Sequence, residues 1–339
     1  MTIQENASLK ELNTFGIPAK ARYLAHITST EALDVLTKNP LFSSVKHLIL
    51  GGGSNILFTK DYDGLIIKVD INGKTILEET ESDVLISVGA GENWHQFVLY
   101  CISHGWGGLE NLSLIPGSVG AAPIQNIGAY GVEIEKSVEY VEGIDLTTGE
   151  SRRLTHPECR FGYRESVFKH DLHEKFFISS VTLRLTKKNH RLDTHYGAIK
   201  EVLERNKIAH PGIKEISDAV IDIRRSKLPD PSVIGNAGSF FKNPTVNAEF
   251  ARVLQQGHPS MPVYPVDNQY VKIPAGWLIE QCGWKGKKSG RVGVHERQAL
   301  VLVNFGDGNG EEILQLATEI QDSVMKKFGV TLMTEVNII

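Results

Sequence analysis

Three side chains from distant segments have the chemistry to handle an unsaturated carboxylic acid. Arg164, in the run FGYRES (161–166), offers a planar two-pronged cation to a substrate carboxylate. Ser239, in NAGSFFKNP (236–244), follows Ala-Gly and precedes two phenylalanines, a setting in which a serine could hand over a proton. Glu335 stands in an apolar C-terminal stretch, where desolvation or a nearby like charge would raise its pKa. Hydride added at a β carbon pushes electrons toward the carboxylate, and a positioned acid must then protonate the α carbon. Taken singly, each residue has a plainer reading. Arg164 pairs with Glu165 or faces solvent, Ser239 serves a turn or a cap, and Glu335 is an edge-strand carboxylate.

Two glycine-rich segments have the composition to hold a redox partner for that chemistry. Residues 117–131 (GSVGAAPIQNIGAYG) are small and uncharged, with Gln125 and Asn126 adding amide donors and acceptors. Such a stretch is costly to order unless something large and flat packs against it. Its glycines let backbone N–H groups approach a ligand or take positive φ. Residues 51–55 (GGGSN) follow the strand-like run VKHLIL (45–50), and successive N–H groups in such a turn form a nest suited to a pyrophosphate. The turn is neither GxGxxG nor a Walker loop. A glycine-rich loop of a β protein is the alternative for 117–131. Together the two segments point to a nucleotide-like cofactor gripped at several points.

Other signals are decoys. The strand-like ALVLVNF (299–305) runs into GDGNG (306–310), a helix and a stretch carrying Glu335, close to a dinucleotide-binding βαβ unit. The third glycine of GxGxxG would fall at Glu311, a carboxylate where the pyrophosphate should sit. GDGNG therefore reads as a surface turn whose acidic residues favour the next helix N-terminus. His295-Glu296 opens HExxH, but the second ligand position is Ala299, and no serine lies in GxSxG.

The elements that position these residues alternate in type. Thr28–Glu31 reads as a capping box opening a helix that Pro40 closes. Strands are expected around Leu48, at 56–58 and, after a turn at 61–64, at 65–69. Further strands are expected at 84–88, 138–146 and 176–185. Asn93 caps a helix that Gly105 stops, and 196–206 and 214–225 read as helices. The charged run 224–227 followed by LPDP looks like a hinge. Beyond it come a helix near 248–256, the segment AGWLIEQCGWKG (275–286), a helix over 312–328 and a final strand over 330–339. The pattern is α+β, without the repeated βαβ units of a doubly wound sheet. The expected divisions are residues 1–70, joined by strand 330–339, then 71–206, then 207–329.

The 339 residues carry a net charge of −4, with 41% hydrophobic and 22% charged side chains, so nucleic acid and anionic membranes are not expected partners. Cys101, Cys159 and Cys282 form no CxxC pair, which argues for a reducing compartment and against structural zinc. No N-terminal stretch has a basic start with an apolar core, and no apolar run is long enough to span a bilayer. A cytoplasmic monomer is expected.

Across NTFGI (13–17), ILGGGSN (49–55), GAGENWH (89–95), GLENLSLIPGSVGAAPIQNIGAYGVE (108–133), CRFGYRES (159–166), KLPDP (227–231), NAGSFFKNP and AGWLIEQC (275–282), the chain closely resembles the UDP-N-acetylenolpyruvoylglucosamine reductase family. The likeness covers essentially the whole chain. It implies a vanillyl-alcohol-oxidase-like (PCMH-type) FAD-binding fold of two subdomains, 1–70 and 71–206, followed by an α+β substrate-binding domain at 207–329. THYG (194–197) resembles the tyrosine-bearing insertion of the longer type.

By this resemblance Arg164, Ser239 and Glu335 are catalytic, with Ser239 protonating an enol and the other two stabilising its charge or assisting the proton transfer. Tyr163, Tyr196, Lys227 and Asn243 bind the UDP-sugar, and Tyr196 closes over it. Noncovalent FAD falls to Gly51, Gly52, Gly53, Ser54 and Asn55 in the first turn. It is also held by Pro116, Gly117, Ser118, Gly120, Ala122, Gln125, Asn126, Ile127 and Gly128 in the second segment, and by Arg224. Gly52 occupies a place that the family leaves variable. NADPH is the implied hydride donor, and the implied reaction yields UDP-N-acetylmuramate for peptidoglycan. An FAD-dependent oxidase or 2-hydroxy-acid dehydrogenase on the same fold is the alternative enzyme, and a flavin-storing module the non-enzyme one.

Overall fold

In the computed structural model, which describes residues 2–339, the chain divides into two compact units. The first comprises the start of the chain to Ala7, Ala21–Gly52 and Asp63–Ser226. The second comprises Ser8–Lys20, Gly53–Tyr62 and Lys227–Ile339. The chain passes between units inside the first glycine turn, after Gly52.

Two large sheets form the body of the first unit. One orders its strands Ile3–Ser8, Lys20–Ile27, Tyr62–Val69 and His47–Leu50, the last two running parallel. The other is antiparallel, ordered Ser151–Thr155, Val138–Asp145, Phe176–Thr186, Asp83–Gly89 and Lys74–Glu79. Strand Asp83–Gly89 shows why such segments pair. Its Val84, Ile86 and Val88 are fully buried and alternate with partly exposed residues, so one pleat face enters the core. Ala25, Ile27, Leu65 and Ile67 of the first sheet share one apolar cluster with Ile86, Val141 and Leu183 of the second. Val119, Ala122 and Ile127 also enter this cluster and anchor the long glycine segment.

The second unit has a sheet ordered Gly235–Ser239, Val301–Asn304, Val292–Val294 and Lys288–Ser289. Helix Gly310–Phe328 buries Ile313, Leu316, Ala317, Ile320, Val324 and Phe328, a stripe at helical spacing. Strand Asn337–Ile338 runs parallel to Ile56–Leu57. Among the described residues no helix is long and apolar enough to cross a membrane.

Several local expectations change. Ser29, not Thr28, caps helix Thr30–Thr37, and Pro40 opens a second short helix, Pro40–Ser44, at its first position, where its missing N–H costs nothing. The turn expected at 61–64 is instead strand, since Tyr62–Val69 is continuous. Helix Ile213–Lys227 absorbs the charged run at 224–227, because Arg, Ser and Lys continue a helix whose buried face is already set. The final ten residues hold only a bridge at Thr334 and the two-residue strand, and Glu335 lies on the bend between them. Strands Lys74–Glu79 and Ser151–Thr155 are missed because they are polar sheet edges with little buried face.

The dinucleotide decoy is closed off by its own asparagine. Strand Val301–Asn304 is antiparallel to both neighbours, so there is no parallel βαβ unit. Asn304 Oδ1 accepts the N–H groups of Gly306 (3.1 Å) and Gly308 (3.0 Å), donors that a phosphate would need. Asn309 and Glu312 form a reciprocal capping box on the following helix. Gly308 does not have positive φ, but a Cβ there would lie 2.8 Å from both Asn304 Oδ1 and Val292 Cγ1. Gly308→Ala should therefore lower the melting temperature by a few degrees. The KM for NADPH of the folded, flavin-loaded variant should stay within about twofold of wild type, since overpacking here acts on stability. A large selective rise in that KM would revive GDGNG as a dinucleotide site.

Candidate active site

In the first unit the two glycine segments meet backbone to backbone. A Cβ on Gly52 would lie 2.7 Å from Gly117 Cα and 3.1 Å from the Ser118 nitrogen, and one on Gly51 would lie 2.7 Å from Ser118 Oγ. Here Gly52 is required by packing, whatever latitude the place has elsewhere. The chain just after strand Asp83–Gly89 carries the second segment. Ala90 O accepts Gly120 N–H and Glu92 O accepts Val119 N–H, both at 2.9 Å, while Trp94 N–H donates to Gly117 O at 3.0 Å. Ser118 Oγ is buried with no hydrogen-bond partner, an unsatisfied donor on this cradle. Ala122 and Ile127 are buried, Gln125 is half-buried and Pro116 is exposed.

Asn126 is fully buried, and its side chain is engaged internally. It donates to Glu133 Oε2 (3.2 Å) and Gly162 O (3.1 Å) and accepts from Glu135 N–H (3.1 Å). Arg164 occupies a left-handed position, φ 57°, in a four-residue turn closed between Gly162 and Glu165. Gly or Asn usually fills that position, and a bulky residue there costs about 1–2 kcal/mol. Nη2 of Arg164 donates to Gly128 O at 2.8 Å, so the guanidinium reaches the glycine segment. Tyr163, about half exposed, lies under the same guanidinium, 5.5 Å from its ring centroid. Strain of this kind marks functional positions more often than ordinary turns.

A second constellation surrounds Tyr130. Tyr196, the residue before helix Gly197–Arg205, packs edge-on against its ring at 5.1 Å and remains half exposed. Asn111 Nδ2 donates both to Tyr130 O (3.1 Å) and to Asp193 O (2.9 Å), tying the tyrosine-bearing segment to the glycine segment. Tyr130 also hydrogen-bonds Arg224, and burial raises its pKa above the ordinary tyrosine value. Arg224 Nε donates to Leu114 O at 3.2 Å. Sequence reasoning missed Tyr130, Leu114 and His95. Only the motifs that contain them marked these residues.

The second unit positions Ser239 and Glu335. Asn13 folds the turn of NTFGI on itself by accepting Ile17 N–H and donating to Leu9 O and Ile17 O. Thr14 O then receives Asn236 N–H at 2.9 Å. The strand bulges between Asn236 and Ser239, with Gly238 at φ 70°, and Ser239 pairs with Val301. Phe240 O accepts Glu335 N–H at 2.8 Å, so the two candidates lie on adjoining backbone. Asn55 Nδ2 donates to Glu335 O at 3.2 Å, which links the last residue of the glycine turn to the catalytic candidate. Asn243 Oδ1 accepts Ala275 N–H at 3.0 Å at the start of helix Ala275–Gln281, and Lys227 is exposed. Gly53 has φ 62°, and a Cβ on it would lie 1.9 Å from Leu12 O, so its first duty is to the fold.

Comparison with known proteins is consistent along the chain. Residues 230–339 match the family model described as UDP-N-acetylenolpyruvoylglucosamine reductase, C-terminal domain, and residues 21–155 match an FAD binding domain. The chain is 49% identical to a UDP-N-acetylenolpyruvoylglucosamine reductase of Flavobacterium johnsoniae and 51% identical to one of Amoebophilus asiaticus, covering all of each. The chain belongs to the UDP-N-acetylenolpyruvoylglucosamine reductase family. A crystal structure of the Thermus caldophilus reductase superposes with a TM-score of 0.69 at 22% identity, covering 100% of this chain and 99% of that one, and so shares the fold.

The family's FAD-binding match contains both glycine segments, and its C-terminal match contains Ser239, Asn243 and Glu335. Tyr163, Arg164, Tyr196, Arg224 and Lys227 fall between the two matched stretches. The residues present fit FAD. The unsatisfied Ser118 hydroxyl is a free donor, and the close packing of Gly51 and Gly52 on residues 117–118 holds both turns as one surface.

Proposed function

We propose that this protein reduces UDP-N-acetylglucosamine enolpyruvate to UDP-N-acetylmuramate with NADPH, supplying peptidoglycan synthesis. The observation that carries this reading is identity of about half to reductases of that name along the entire chain. The first unit is read as the FAD-binding part, held through Gly51, Gly52, residues 116–128 and Arg224. Lys227–Ile339 of the second unit is read as the substrate-binding part.

Bound FAD would take hydride from NADPH and deliver it to C3 of the enolpyruvyl ether. The chain's own residues then govern charge and protons. Arg164, braced on Gly128 O, presents its guanidinium charge to the carboxylate on which negative charge grows. Ser239 Oγ delivers its proton to C2 and is reprotonated from solvent. Glu335, held on the backbone of Phe240, assists that proton transfer or stabilises the charge. Tyr163, Tyr196, Lys227 and Asn243 hold the UDP-sugar, the lysine matching the diphosphate charge.

The setting we propose is a cytoplasmic monomer. Cys101 and Cys159 are buried free thiols, and burial pushes the pKa of Cys159 up to about 12, so neither resembles a reactive or paired cysteine. The protein should purify yellow, bleach on addition of NADPH, recover colour with the enolpyruvyl sugar and elute at the mass of one chain. Oxygen consumption with a hydroxylated substrate would instead identify an oxidase. Flavin binding without any turnover would identify a storage module.

A further inference from the structure

We infer that His95 is a positioning residue for the flavin loop, holding Leu114 with Arg224 in a left-handed backbone that directs the chain into residues 117–118. This rests on the reading of that loop as flavin-binding. Leu114 has φ 58°, a conformation that leucine keeps only where its surroundings over-determine it. Both sides of the residue are gripped. Its N–H donates to His95 Nδ1 at 2.9 Å, and its carbonyl accepts Arg224 Nε at 3.2 Å. His95 follows Trp94, whose backbone N–H donates to Gly117 O (3.0 Å) and whose indole donates to Leu112 O (3.0 Å). The first turn of helix Trp94–Ser103 therefore holds the chain before, at and after Leu114.

Little freedom separates Leu114 from the flavin-facing residues. Pro116 has a fixed φ and restricts Ile115, so the conformation at Leu114 is passed on to Gly117 and Ser118. Ser113 adds a tie, because its hydroxyl donates to Glu110 O and is 2.8 Å from that of Ser217.

The bond to Leu114 also fixes the protonation state of the histidine. A backbone N–H only donates, so Nδ1 must accept and the ring proton must sit on Nε2, whereas an imidazolium has no acceptor. Desolvation, then the charges of Arg225 and Arg224 on helix Ile213–Lys227, hold the His95 pKa below its ordinary value. A base whose folded pKa is lowered contributes fully above its unfolded value, near about 6.5, and that contribution declines as pH falls below it. The clamp should therefore weaken in mild acid.

The test is flavin titration of the flavin-free protein by fluorescence quenching between pH 5.5 and 8, with melting of the same flavin-free samples. At pH 8, His95→Ala should weaken flavin binding about tenfold, the loss of one partner of a constrained backbone donor. His95→Asn, whose Oδ1 replaces Nδ1 as an acceptor that cannot be protonated, should bind within about threefold of wild type and lose the weakening seen below pH 6.5. In a Leu114→Gly background the left-handed conformation needs no clamp, so His95→Ala should cost less than about threefold. Equal effects of His95→Ala in both backgrounds, or an acid weakening that persists in His95→Asn, would overturn the inference. If the native protein binds no flavin at any pH, the reading of the loop fails. Coupling between positions 95 and 114 in the melting temperatures then still decides the clamp.

Discussion

Ser239→Ala should separate the two half-reactions. The substitution removes one oxygen from a residue held by its backbone: Ser239 pairs with Val301, and Phe240 bonds both Leu300 O and Glu335 N–H. Folding and flavin content should therefore stay near wild type. Passage of hydride from NADPH to the flavin protonates no carbon, so stopped-flow bleaching should be nearly unchanged. Reduction of the enolpyruvyl group leaves a carbanion-like centre at C2. A positioned acid contributes about 10²–10⁴-fold there, so recovery of colour on mixing with the enolpyruvyl sugar should slow at least a hundredfold. Equal slowing of both phases would mean that Ser239 shapes the pocket rather than supplying the proton.

Gly52→Ala should strip the flavin while leaving a folded chain. The added Cβ would meet backbone, Gly117 Cα at 2.7 Å and Gly117 C at 2.9 Å, and backbone cannot swing aside as a side chain would. The two turns must separate, and overpacking of this kind costs about 1–3 kcal/mol. If that cost falls on the flavin-binding geometry, affinity should drop by about ten- to a hundredfold or more. The readout is the ratio of visible to ultraviolet absorbance in purified protein, with melting of flavin-free samples as the control for folding. Full flavin content with unchanged melting would remove the paired glycine turns from the site. Gly53→Val is a poorer probe of the same turn. Its Cβ would collide with Leu12 O at 1.9 Å and its φ is 62°, so it should report on folding first.

Features written in local chemistry were legible before the structure. The cap Asn93 and the stop Gly105 bracket helix Trp94–Ser103 because both act within a few residues. The buried alternation of Asp83–Gly89 is likewise visible in its residue types. The decoy GDGNG could be set aside because Glu311 is the wrong charge, and the structure adds Asn304 as the physical occupant of the loop's donors. Edge strands were not legible, since Lys74–Glu79 and Ser151–Thr155 bury little and owe their conformation to neighbours distant in sequence. Nor was the left-handed backbone at Leu114 or Arg164. Neither residue type favours it; bonds from His95 and Arg224 grip Leu114, and the turn closed between Gly162 and Glu165 encloses Arg164.

By itself the sequence determined which residues are candidates for the chemistry: two glycine segments, an arginine, a serine beside two phenylalanines and a late glutamate. Residue type limits what backbone approach, charge and proton transfer are possible at each place. The tertiary structure alone decided how those places are held. Glu335 is set against Phe240 rather than within a strand, Gly52 is forced by the backbone of Gly117, and residues 8–20, 53–62 and 227–339 assemble as one unit. Such pairings join distant segments, as the bond between Asn55 and Glu335, 280 residues apart, does. Their energy appears only once the intervening chain has folded, so no local pattern announces them.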